Sequence, residues 1–153
     1  MQYARDARLE ISATVRRPLD AVEATWLQAP EHEPWVVADG LRRRSGGEIL
    51  ARTRLFIPEV YADIAGEIGI LPGAVQELIE HRWGVRPARI AQQITAQVLD
   101  GEAARTVHAK PGSAALRTLR RYLDEQDRVI VASDSLHHAD RFAYEMTYHR
   151  DGG

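Results

Sequence analysis

Residues 111–150, PGSAALRTLRRYLDEQDRVIVASDSLHHADRFAYEMTYHR, are the stretch that decides the fold. Apolar and polar residues alternate from Ala115 to Leu123 and again from Arg128 to His137, and the polar residues Asp124–Asp127 separate the two runs. A period of two that is interrupted by a turn predicts a β-hairpin. The alternation from Phe142 to His149 predicts a further strand.

The same order of elements occurs earlier in the chain. Arg8–Val15 alternates like a half-buried strand, and Pro18–Ala29 has the pattern of a helix that Pro18 and Asp20 open. A hairpin follows, with strands Trp35–Arg44 and Glu48–Pro58 around a Ser-Gly-Gly turn. These elements form one strand–helix–hairpin unit.

A second unit begins 81 residues later, where Arg89–Val98 repeats the alternation of the first strand. Asp100 is placed to cap a short helix, Gly101–His108, ahead of the C-terminal hairpin. Between the units, Val60–Ile70 and Ala74–Trp83 have helical spacing, and Leu71-Pro72-Gly73 interrupts them. The chain therefore predicts an α+β fold, one antiparallel sheet with helices on one side, built from two pseudo-repeated units.

Composition excludes several classes of protein. The hydrophobic fraction of 44% and the charged fraction of 27% are typical of a folded globular domain. The net charge of −2 gives no basic field that would attract nucleic acid, and the absence of cysteine excludes disulfides and thiolate metal sites. No apolar run approaches the roughly 20 residues of a membrane span, so we expect no membrane partner and a cytoplasmic location.

Several short segments, taken in order, resemble the UTRA domain, the effector-sensing module of HutC-type GntR transcription regulators. They are Gly73 with the helix Val75–Trp83, Gly84-Val85-Arg86, Arg89–Gln92, Ile94–Ala96, Pro111-Gly112-Ser113, Arg120, Tyr122 and Ala139–Phe142. The resemblance implies a chorismate-lyase-like fold over residues 7–150, with 1–6 as a linker remnant and 151–153 as a tail. It also implies a homodimer, and DNA binding only through a winged helix-turn-helix domain that this chain lacks.

In the resembled family, the effector lies between the two hairpins and the middle helix, where arginines and hydroxyls hold an anionic group. The matching arginines are Arg42 and Arg120. The alternative for Arg42 is a solvated basic edge, and for Arg120 a surface cross-strand ion pair.

One row of the last predicted strand carries Ser133, Ser135 and His137, since side chains alternate with period two. These residues can hydrogen-bond a polar ligand, or the serines can simply fit a tight sheet. Thr53 faces the same way in the first hairpin. Sugar-phosphate-sensing relatives carry a glutamate and a tyrosine where this chain has Val131 and His137, and a serine at Ala74, which argues against an amino-sugar phosphate as the effector.

Metal binding and hydrolysis are not expected. His137 and His138 are neighbours on one strand and point to opposite faces, so they cannot share a tetrahedral site. Ser133, Asp134 and His137 lie on one strand, which rarely provides a catalytic triad. No cofactor is predicted, and Arg141 is expected to be structural, pairing locally beside a capping Asp140.

The function predicted from the resemblance is the sensing of a small anionic metabolite by a dimeric domain that is not an enzyme. Two alternatives stay open: an enzyme similar to chorismate lyase, which only the fold analogy supports, and a dimerisation module that binds no ligand.

Overall fold

A computed structural model describes residues 7–69 and 74–151. Its described strands form one antiparallel sheet of six in the order β1-β2-β3-β6-β5-β4. The strands are β1 Arg8–Pro18, β2 Pro34–Arg43, β3 Ile49–Pro58, β4 Arg89–Val98, β5 Ala114–Leu123 and β6 Val129–His138.

The two predicted units are confirmed, and they meet at the centre of the sheet. α1 (Ala21–Leu27), β2 and β3 begin 80 residues before α3 (Gly101–Thr106), β5 and β6, and β1 begins 81 residues before β4. β3 pairs with β6 from Ala51 opposite His137 to Phe56 opposite Ala132. The sheet therefore continues from one unit into the other without a break.

Of the two residues predicted to open helix α1, Asp20 is its N-cap, as predicted, whereas Pro18 does not begin it. The Asp20 carboxylate accepts from the Glu23 backbone N–H at 2.8 Å, and Glu23 accepts from the Asp20 N–H at 2.9 Å. This capping box satisfies two amides that the helix itself leaves unpaired, and Pro18 becomes the last residue of β1. Asp100 caps α3 as predicted, accepting from the Ala103 N–H at 2.8 Å.

The middle segment consists of a 3₁₀ helix, Glu59–Glu67, and α2, Val75–Trp83. Gly84 ends α2 with a φ of 70°, the left-handed conformation in which glycine is favoured. The predicted break at Leu71-Pro72-Gly73 lies outside the described residues. Within residues 7–69 and 74–151, no helix has both the length and the apolar character needed to cross a membrane.

The helices cover both faces of the sheet. Val36, Ala38, Leu55 and Ile57 pack against Ile64 of the 3₁₀ helix and Ile79 of α2, on what we call the front face. The alternate residues Trp35, Val37 and Phe56 pack against Leu27 of α1, and Ala115 and Leu136 pack against Ala104 of α3, on the back face. The α+β sheet is confirmed, but the helices do not share one side, because strands buried on both sides need cover on both.

After the short 3₁₀ helix Ala139–Arg141, residues 142–151 have no regular secondary structure, so the strand predicted over Phe142–His149 is not observed. We call residues 142–151 the C-terminal strap. Arg141 is structural, as predicted, but its partners are distant in sequence: Nη1 donates to the carbonyls of Ile49 at 2.7 Å and Val107 at 3.1 Å. Asp140 is exposed, and its N–H donates to His138 Nδ1 at 3.1 Å.

Candidate functional site

All six residues predicted for a binding site lie on the front face. Residues that are directly opposite in an antiparallel sheet point to the same side. Thr53 lies opposite Ser135, and Ser133 lies opposite Arg120. Ala51 lies opposite both His137 and Arg42. The pairing of β2, β3, β6 and β5 thus brings together residues that are up to 95 positions apart in the chain, from Arg42 to His137.

The hydroxyls of this site are paired with each other and with imidazole. Thr53 Oγ1 lies 2.9 Å from Ser135 Oγ, and both side chains are buried. Thr118 Oγ1 lies 2.9 Å from His137 Nε2, and these two residues are buried as well. Hydroxyls can donate and accept in turn, so this row can exchange its internal hydrogen bonds for bonds to a polar ligand.

Arg120 is held by neutral groups and not by a carboxylate. Its Nε donates to Gln92 Oε1 at 2.7 Å, and its Nη1 donates to the Tyr122 hydroxyl at 3.3 Å. In the described part of the chain it forms no ion pair, so the surface cross-strand pair considered from the sequence is not observed. The positive charge of this half-buried side chain is not neutralised by a partner on the sheet.

The sheet separates its charges between its two faces. The strands contain three acidic residues, Glu10, Asp39 and Asp134, and their registers place all three on the back face. Two of them form bidentate pairs there, Asp39 with Arg54 at 2.7 and 3.1 Å, and Asp134 with Arg117 at 2.9 and 2.7 Å.

The front face of the six strands therefore carries arginines and hydroxyls without a carboxylate. Such a surface favours an anion over a cation, because each guanidinium can offer several donors to carboxylate or phosphate oxygens.

His137 is neutral near physiological pH. Burial disfavours the charged ring, and the nearby Arg42 and Arg120 guanidinium groups disfavour it further, so the pKa of His137 falls from 6.5 to about 4. The lowered pKa also indicates that both arginines act electrostatically on this one ring. A neutral imidazole can accept or donate a hydrogen bond without adding a third positive charge.

The C-terminal strap contributes two contacts that the sequence analysis missed. The Phe142 ring stacks on His137 with centroids 4.0 Å apart and planes at 15°. The Tyr144 hydroxyl accepts from Gln92 Nε2 at 2.9 Å. Phe142 and Tyr144 are two residues apart, the spacing that puts side chains on one side of an extended segment. Alternation revealed this common side, but nothing local in the sequence showed what it would face.

Gln92, Thr118 and Tyr122 were also not predicted as site residues. Each lies on the front face because of its register, Gln92 opposite Arg120 and Thr118 opposite Ser135. The period of two along β4 and β5 places these residues on the front face once the pairing of the two strands with the rest of the sheet is known. Locally, a polar residue on an edge strand has no feature that distinguishes it from a solvated one.

The two histidines lie on opposite faces, as predicted, since His138 is opposite Ala115 on the back face. Among the described residues, no three histidines or acidic residues come together in a way that could hold a metal ion. A cleft of about 300 Å³ lies elsewhere, at the end of β2 and β3, lined by Glu33, Pro34, Trp35, Pro58, Glu59 and Val60. It contains none of the predicted site residues.

A sheet of two repeated units, with arginines and hydroxyls on one face, can be compared with known proteins. The family profile of the UTRA domain matches residues 4–143. The chain belongs to the UTRA domain family. UTRA domains are regulatory ligand-binding domains of transcription factors and not enzymes, so family membership does not support the alternative of a chorismate-lyase-like enzyme.

Solved structures of similar fold agree with this assignment. The effector domain of PhnF from Mycobacterium smegmatis has a TM-score of 0.80 at 19% identity, covering 94% of this chain and 88% of that one. A GntR-family transcriptional regulator from Bacillus cereus has a TM-score of 0.79 at 12% identity, covering 94% and 99%. The match to PhnF from Mycobacterium smegmatis covers 95% of this chain but only 64% of PhnF, at a TM-score of 0.80 and 19% identity. No curated protein sequence matches the chain.

Proposed function

We propose that this UTRA domain senses a small anionic metabolite, which binds on the front face at Arg42, Thr53, Arg120, Ser133, Ser135 and His137. The observation that carries the proposal is the sorting of charge on the sheet. The strand carboxylates lie on the back face, while Arg120 on the front face has only neutral partners. At Arg120, an anion would gain charge-assisted hydrogen bonds without displacing a carboxylate.

The test is a thermal-shift screen of carboxylates and phosphates at constant ionic strength. A ligand that binds only the folded state adds RT ln(1 + [L]/Kd) to stability, about 2.7 kcal/mol at one hundred times Kd. We expect at least one anion to raise Tm, and Arg120→Gln to abolish the rise. Arg150→Gln, an exposed arginine outside the site, is the matched control and should leave the rise unchanged. A screen with no stabilising anion would instead favour a dimerisation module without a ligand.

We propose further that the domain is a homodimer in which the C-terminal strap takes part. Met146 is 58% exposed and Tyr148 is 83% exposed, and they alternate with polar residues as in a strand. An extended segment with exposed apolar side chains and no strand beside it can pair with a second copy of the chain. Sedimentation should show a dimer that Tyr148→Glu dissociates. A monomeric wild-type protein at high concentration would refute this part.

In a HutC-type regulator, the ligand would change the affinity of a separate winged helix-turn-helix domain for its operator, in the cytoplasm. The differential affinity of the ligand for two arrangements of the dimer would drive the change. With a net charge of −2, the UTRA chain itself is expected not to bind duplex DNA. A mobility shift of duplex DNA by this chain alone, at physiological salt, would contradict that expectation.

A further inference from the structure

We propose that Gln92 is a positioning residue that orients Arg120, and that Tyr144 fixes Gln92, so that the arginine and the C-terminal strap stabilise one another. The inference rests on the proposed function only for the role of Arg120 as an anion-binding residue. The hydrogen-bonded chain from Arg120 through Gln92 to Tyr144 can be tested without any ligand.

Two nitrogen atoms of the Arg120 guanidinium group donate to protein side chains, and the third is available to a ligand. Nε donates to Gln92 at 2.7 Å and Nη1 to the Tyr122 hydroxyl at 3.3 Å, which fixes the plane of the guanidinium group. Nη2 makes no hydrogen bond within residues 7–69 and 74–151. An anion can therefore accept from Nη2 while the bond to Gln92 stays intact. Ligand binding and the Gln92 contact are compatible and do not compete.

The Gln92 amide is held between Arg120 and Tyr144. Gln92 presents an acceptor, Oε1, to Arg120 and a donor, Nε2, to the Tyr144 hydroxyl at 2.9 Å. Rotating the amide by half a turn would place its NH₂ group against the guanidinium group, donor against donor. Arg120 can only donate, so it sets the orientation of the amide, and the Tyr144 hydroxyl, which can donate or accept, holds the Gln92 side chain in that position by accepting from Nε2. Without that hydroxyl, the Gln92 side chain loses one of its two anchors and can move away from Arg120.

The strap is attached to the site at a second point, the stacking of Phe142 on His137 at 4.0 Å. One side of the strap thus contacts both Gln92, the partner of Arg120, and the imidazole ring of His137. Coupling between two sites is reciprocal in free energy. If the seated strap orders Arg120, then Arg120 must hold the strap in place to the same extent.

The first experiment uses the whole chain without ligand. NMR measures the solvent exchange of the Arg120 Nε–H, and hydrogen–deuterium exchange measures the backbone amides of the strap. We expect Gln92→Ala and Tyr144→Phe each to accelerate the Nε–H exchange about tenfold, the equilibrium value of one hydrogen bond. Arg120→Gln should accelerate exchange in the strap by a similar factor.

The chain offers matched controls for the glutamine and arginine variants. Gln93 lies on the back face beside Gln92, and Arg121 lies on the back face beside Arg120. Gln93→Ala and Arg121→Gln should leave both exchange rates unchanged. The proposal is overturned if Tyr144→Phe leaves the Arg120 Nε–H as protected as in the wild type, or if the control variants accelerate exchange equally.

The second experiment adds inorganic phosphate at constant ionic strength. Where phosphate raises Tm, we expect it to slow exchange in the wild-type strap and to lose that effect in Gln92→Ala. Phosphate that binds without protecting the strap overturns the coupling. If neither phosphate nor any other anion binds, the proposed function is wrong. The exchange rates measured without ligand still decide the role of Gln92.

Discussion

Acidification should destabilise this domain through His137, beginning near pH 6.5, above the ordinary pKa values of carboxylates. The pKa of His137 is about 4 in the folded chain and 6.5 when the ring is exposed, because burial and then Arg42 and Arg120 disfavour the imidazolium. Above pH 6.5 neither state binds the proton, so the full stability is present. As pH falls from 6.5 to 4, only the unfolded chain is protonated, and each unit removes about 1.4 kcal/mol. The total loss is about 3 kcal/mol.

The assay is urea unfolding at intervals from pH 7 to pH 4, together with an NMR titration of the His137 ring. His137→Gln is the comparison, because glutamine keeps a polar side chain near the Thr118 hydroxyl but cannot titrate. We expect the unfolding free energy of the wild type to fall more steeply than that of the variant, with a difference of about 3 kcal/mol over this window. Parallel curves, or a ring that titrates near its ordinary pKa, would show that the reasoning about burial and charge is wrong.

Three further predictions concern the scaffold. The Arg17 hydrogen bonds lower the pKa of Glu23 from 4.5 to about 2. The contribution of Glu23 to the free energy of unfolding is therefore complete above pH 4.5 and disappears as pH falls through 2. Glu23→Gln should cost about 1–2 kcal/mol at pH 7 by urea unfolding, and it should reduce the loss of stability with falling pH in this range. Gly40→Ala puts a Cβ 2.6 Å from a carbonyl oxygen of β1 and should cost about 1–3 kcal/mol, whereas Gly46→Ala meets nothing within 4 Å and should cost less than about 0.5 kcal/mol. Arg141→Ala leaves two carbonyls without their donor and should lower stability by about 2 kcal/mol in chemical denaturation, and a neutral result would mean that water replaces the guanidinium group at no cost.

Most of the sheet could be predicted from the sequence because its strands alternate strongly and its turns contain glycine or acidic residues. The second hairpin, Ala114–Leu123 with Val129–His138, matches the pattern read from residues 111–150 within a residue or two. The six site residues could be placed on one face by the same alternation. The packing of helices on both faces could have been anticipated from β2, where the consecutive residues Trp35–Ala38 are all apolar and all buried.

The parts that could not be predicted depend on contacts between distant segments. Residues 142–149 alternate as a strand does, but a strand needs a neighbour, and none of the strands that the structure describes lies beside them. Their inner side rests on His137 and Gln92 instead. Alternation reports that one side of a segment is covered, and it does not report whether a sheet, a pocket or a second molecule covers it. The partners of Arg120 escaped prediction for the same reason.

The two repeated halves of this domain differ in how their front faces are covered. The segment 59–83, which joins them, rests mainly on the apolar inner surface of the first half, against Val36, Ala38, Leu55 and Ile57. The corresponding surface of the second half holds Thr118, Arg120 and Ser133, and within residues 7–69 and 74–151 no helix packs its apolar side chains against these three. The proposed anion site, which also includes Arg42 and Thr53 of the first half, therefore lies where the connector does not fill the front face with apolar side chains. We expect each chain to bind one anion there.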